Sequence, residues 1–72
     1  MALSDLILSS AHKEAEIYRE RIDSGDPLRT FNYGYLCGLR GACVLSDDRE
    51  TEKKVQAIIN ECDKYAFTHA QL

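Results

Sequence analysis

Residues 33–45 read "YGYLCGLRGACVL", three glycines set among aromatic and aliphatic side chains. In a helix each glycine costs roughly 1 kcal/mol against alanine, about 3 kcal/mol together, so some packing gain must offset them. In a strand pair the same glycines would sit at turns at little cost. Two periodicities compete here. Leu28, Phe31, Tyr35, Gly38, Ala42 and Leu45 step 3, 4, 3, 4, 3, as one stripe of a helix does. Phe31, Tyr33, Tyr35, Cys37, Leu39, Gly41, Cys43 and Leu45 alternate at period two, as a strand does, and the composition leans the same way.

Three features favour the helix. A strand would leave Leu36, Ala42 and Val44 on its polar face. No Asn-Gly or Asp-Gly pair marks a hairpin turn at the centre. And helix punctuation brackets the segment. In "DSGDPL", Gly25 suits a left-handed C-cap, Asp26 an N-cap and Pro27 a first helical position. In "LSDDRE", Ser46 or Asp47 can cap, and Asp47 with Glu50 can close a capping box. Ser4 can cap the first helix, with Leu3 and Leu8 as its staple.

The outer pieces are plainer. Leu8, Ala11, Ala15, Tyr18 and Ile22 form one apolar stripe, and Val55, Ile58, Cys62, Tyr65, His69 and Leu72 form another. The expectation is an all-α, up-down-up three-helix bundle with helices at about 4–24, 27–45 and 47–70, residues 1–72 forming a single helical domain. The alternative is α-β-β-α with a hairpin at 30–45.

On a helix, Gly34, Gly38 and Ala42 line up as a groove without side chains, beside a ridge of Phe31, Tyr35 and Leu39. Such a stripe lets two helix axes approach closely. Antiparallel folding sets Gly38 opposite Ala11 and Ala15, and Gly34 and Gly38 opposite Ile59 and Val55. Overfilling this groove with Gly38→Leu should then disrupt packing. Tyr33 and Leu36 fall off the main stripe, and the third helix outruns the bundle at Phe67, His69 and Leu72. These five, with Arg40, the lone charge between Gly34 and Ser46, are the candidate residues for self-association or a partner.

Size and charge narrow the function classes. Seventy-two residues, 44 % apolar and 29 % charged, make a folded chain with a marginal core. Such chains often gain stability by associating. The net charge is −3, and acids sit beside most of the bases, which disfavours nucleic-acid contact. No apolar run is long enough for a membrane, and "MALSDLILSSAHKEA" lacks the basic start of a secretory signal. Cys37, Cys43 and Cys62 are an odd number, against a closed disulfide framework and for the reducing cytoplasm. His12, His69 and the cysteines show no metal-ligand spacing, and no nucleophile has an adjacent base. No metal, cofactor or catalytic residue is expected.

The sequence therefore points to a small non-enzymatic, cytoplasmic helical module. It is expected to be homodimeric and to bind or occlude a partner protein. The alternative is a small helix-turn-helix-like, nucleic-acid-linked regulator. No named family is matched. In general look, "YGYLCGLRGACVL" followed by an acidic capped helix resembles tiny helical proteins of phages and mobile elements, which implies an adaptor or inhibitor and transfers no functional residue.

Overall fold

The chain folds as α1 (Leu3–Ser24), α2 (Arg29–Leu45) and α3 (Arg49–Ala70), in a computed structural model that describes residues 2–70. The three pack on one another in an all-α bundle, elongated at 38 × 18 × 16 Å, with no strand among the described residues. Residues 30–45 lie within one continuous helix, so the hairpin alternative falls away.

Both turns are built the same way from different residues. α1 ends on Gly25 at φ 70°, its N–H bonded to the Ile22 carbonyl while the Asp26 N–H reaches back to Arg21. α2 ends with Asp47 at φ 56°, its N–H on the Val44 carbonyl and the Asp48 N–H on Cys43. These paired bonds satisfy carbonyls that a helix end leaves open. Gly25 takes the left-handed conformation freely. Asp47 takes it at a cost that a short polar side chain keeps small.

The caps depart from expectation in detail. α1 begins one residue before Ser4, with Ala2 at the cap and no side-chain bond. Asp26 accepts from the Leu28 N–H at 2.9 Å, so Pro27 and Leu28 form a turn and the helix starts at Arg29. Asp48, rather than Ser46 or Asp47, caps α3: it accepts from the Thr51 N–H at 3.1 Å and the Thr51 hydroxyl at 2.6 Å. Those two bonds pull its carboxyl below the usual range. Ser46 is drawn away, its hydroxyl bonding the Ala42 carbonyl at 3.0 Å.

The core is thin. Ile7, Ala11, Ala15 and Tyr18 come from α1, Leu36 and Cys43 from α2, and Val55, Ile59 and Cys62 from α3. Its largest fully buried side chains are Leu36, Val55, Cys43 and Cys62. Burying a Leu, Ile or Val contributes about 1.5–3 kcal/mol, and alanines add little. The stripes expected on the outer helices largely hold: Ala11, Ala15 and Tyr18 are buried, as are Val55 and Cys62, with Leu8, Ile22 and Ile58 packed at the margin.

The middle helix is turned over. Leu28, Phe31, Tyr35, Gly38, Ala42 and Leu45 form its exposed face, while Asn32, Leu36 and Cys43 are buried. The physical reason is an interior polar bridge. Asn32, 3 % exposed, accepts from the Arg21 guanidinium at 2.6 Å and donates to the Glu14 carboxylate at 2.7 Å. A buried amide must be hydrogen-bonded, and this one is satisfied on both sides only with its own face turned towards α1. Leu36 and Cys43, lying on that face, follow it inward.

Candidate functional site

The candidate site is the outer face of α2. Among its exposed residues, together with Leu28 just before it, none is charged; Thr30 and the hydroxyl of Tyr35 are the polar groups. Phe31 is 70 % exposed and Leu45 90 %, and Leu28, Tyr35 and Val44 are each about half exposed. At those exposures the five present on the order of 500 Å² of apolar side chain, the size of the largest patch on an ordinary monomer. The exposed faces of the neighbours are conventional, with Asp5, Lys13, Glu16, Glu20 and Asp23 on α1 and Glu50, Lys53, Lys54, Glu61, Asp63 and Lys64 on α3.

Gly34 and Gly38 lie along the middle of this face with Ala42, and Gly41 at its edge. A Cβ built on any of the three glycines would meet nothing within 4 Å. The groove expected to receive Ala11 and Ala15, or Val55 and Ile59, therefore receives none of them. All four are buried in the core, facing the other side of α2. The correction extends to the expected effect of Gly38→Leu, since a larger side chain there points into open space. The bundle leaves the three glycines' helix cost, about 3 kcal/mol, without an offset.

The remaining candidate residues scatter. Leu36 is 0 % exposed and is withdrawn from the association surface, because its side chain is the largest fully buried one. Tyr33 is half-buried, tilted against Tyr18 at 5.8 Å between ring centres. The Asp63 carboxylate beside its hydroxyl pushes Tyr33 up to about 12, with burial adding. Arg40 turns to α3, its guanidinium donating to Gln56 at 2.6 Å. Phe67 is exposed, singly, on α3. His69 is tied down: its ring stacks on Tyr65, and Nε2 lies 3.2 Å from the Asp23 carboxylate, which also accepts from the Tyr65 hydroxyl at 2.5 Å. That cluster closes the end where α3 was expected to overhang. Leu72 lies outside the described residues.

Burial pushes the Cys43 and Cys62 thiols up, away from the thiolate that nucleophilic or metal chemistry needs. Among the described residues no group of three or more His, Cys, Asp or Glu could hold a metal ion, and no helix is long and apolar enough to cross a membrane. The surface concavities are shallow; one of about 330 Å³ between α1 and α3 is lined by Leu8, His12, Lys54, Ala57, Ile58 and Glu61, an ordinary inter-helix trough.

Sequence reasoning passed over Asn32 and its bridge. The signal was present as an Asn inside an otherwise apolar stretch, but its partners lie 11 and 18 residues away. No protein-family model, curated protein or solved structure matches the chain.

Proposed function

We propose that the protein is a non-enzymatic protein-binding module, acting as a homodimer in the cytoplasm, and that the outer face of α2 is its working surface. One observation carries this reading: a whole helix presents an exposed apolar face with no charge on it. A thin core adds to it, since a chain that buries few large side chains has most to gain by covering such a face. The raised thiols fit a binding role better than a catalytic one. Three free cysteines fit a reducing compartment.

A charge-free face selects its partner by exclusion. Nucleic acid and anionic membrane surfaces are gripped by Lys and Arg, which this face lacks. A protein surface bearing charges would have to bury them unpaired. The surface that meets the requirement and is present wherever the protein is present is α2 itself.

Sedimentation equilibrium tests the reading. A dimer is expected at micromolar concentration, and Phe31→Asp should return it to monomer with helix content intact. A clean monomer at high micromolar concentration overturns it. A gel shift at two salt concentrations gives the nucleic-acid alternative its own test, because phosphate contacts weaken steeply with salt.

A further inference from the structure

Tyr18 is a core residue whose polar end is unused. Its side chain is 7 % exposed, yet among the described residues its hydroxyl has no hydrogen-bond partner. No fully enclosed side-chain N or O among those residues lacks a partner, so this oxygen reaches an opening. Two concavities meet there, of about 440 and about 290 Å³, and Tyr18 and Arg29 line both. Burial pushes the Tyr18 hydroxyl up, so at neutral pH it keeps its proton and remains a donor.

Arg29 stands two turns before the buried Leu36, on the same side of α2. Its half-buried stem covers the end of the core and carries the guanidinium to both openings. Of its N–H donors, Nη1 is engaged, on the Asp26 carbonyl at 3.2 Å. The Asp26 carboxylate turns instead to Arg21, at 3.8 Å, and no other acid among the described residues forms an ion pair with Arg29. The backbone N–H groups of Arg29, Thr30 and Phe31 are already bonded to carbonyls of the preceding turn, so the free donors here are side chains.

The two concavities differ in charge. The smaller holds Asp63, whose carboxylate lies beside the Tyr33 hydroxyl. The larger has no acid in its lining, where Ile22, Ala66 and His69 join Tyr18 and Arg29. The acid nearest His69, Asp23, accepts from the Tyr65 hydroxyl and lies 3.2 Å from His69 Nε2.

We propose that the larger concavity binds a small monocarboxylate with an apolar body. The planar Arg29 fork pairs with both carboxylate oxygens, the Tyr18 hydroxyl donates to one of them, and the body lies on Ile22 and Ala66. The volume is within the range of small-molecule sites. The site is independent of any pairing through Phe31 and Tyr35, which lie on the opposite side of α2.

NMR titration of the labelled protein at constant ionic strength tests this, with benzoate and hexanoate as probes and benzamide and hexanamide as their neutral counterparts. Saturable shifts are expected at Tyr18, Ile22, Arg29 and Ala66, with dissociation constants on the order of 1 mM for the carboxylates and at least roughly tenfold higher for the amides. Arg29→Gln should weaken the carboxylates to the level of the amides. Tyr18→Phe removes only an oxygen; it should weaken them about two- to tenfold with unchanged circular dichroism, and it stands as the test if Arg29→Gln disturbs the turn. Lys54→Gln, in the trough between α1 and α3, should change nothing. The proposal is overturned if neither carboxylate saturates by about 30 mM, or if carboxylate and amide bind alike. It is equally overturned if inorganic phosphate alone gives the same shifts, or if the shifts centre on Leu8 and Ile58.

Discussion

The inner and outer faces of α2 are both apolar, yet they obey opposite rules. The inner face carries a polar residue, Asn32, and is closed: the amide both accepts and donates a hydrogen bond, and Leu36 and Cys43 are fully buried beside it. The outer face has no such anchor and carries all three of the helix's glycines, each facing open space. Hydrophobicity alone does not distinguish inside from outside in a helix that is apolar all round. A single satisfied amide does, because turning it outward would strand Arg21 and Glu14 without their bridge.

The sharpest way to break this contrast is to damage the inner face. Leu36→Ala should cost about 2–5 kcal/mol through the cavity it leaves, enough to unfold much of a chain this small. Urea denaturation followed by circular dichroism would show it. Asn32→Ala comes next. It removes the bridge and leaves two partly buried charged groups to find water, at about 1–3 kcal/mol. If the amide sets the rotation of α2, the outer face should also change, visible as altered protection of Phe31 and Tyr35 from surface labelling.

On the other side, Phe31→Asp should alter stability in dilute solution by no more than about 0.5 kcal/mol, as exposed positions do. Its effect belongs in sedimentation instead. The smallest effect is expected at the border between faces, on Tyr33. Its folded pKa of about 12 lies above the unfolded value near 10. The interaction with Asp63 is therefore fully present below pH 10 and is lost as pH rises through 12. Burial also raises Tyr18 and the Asp23 carboxylate raises Tyr65, so an alkaline titration should find Tyr33 ionising last, and Tyr33→Phe should delete that final step.

Much of this fold was legible in the chain. Gly25 and the acids after Leu45 placed both turns within one or two residues, because capping is local chemistry. Ala11, Ala15 and Tyr18, and Val55 and Cys62, sat on stripes flanked by charge, so their inward face was readable. The rotation of α2 was not. Phe31, Tyr35 and Gly38 share a helical spacing as regular as that of Asn32, Leu36 and Cys43, and no ring of charge marks which is wet. The deciding contacts join residues 14, 21 and 32, and spacing along the chain says nothing about them. The same inversion hid the candidate site: its residues were read as core, and Leu36 as surface.

The charged flanks of α1 and α3 have a consequence for growth of any assembly. Two rods that met along their one bare side would present mostly charged and polar side chains of α1 and α3 to the solvent, with Leu3, Leu6 and Phe67 as the large apolar exceptions on those two helices among the described residues. A symmetric pairing of like with like consumes the adhesive strip on both partners at once. A pairing of that kind would leave no equivalent strip for a third molecule to grasp, so it would stop at two rather than grow into fibres.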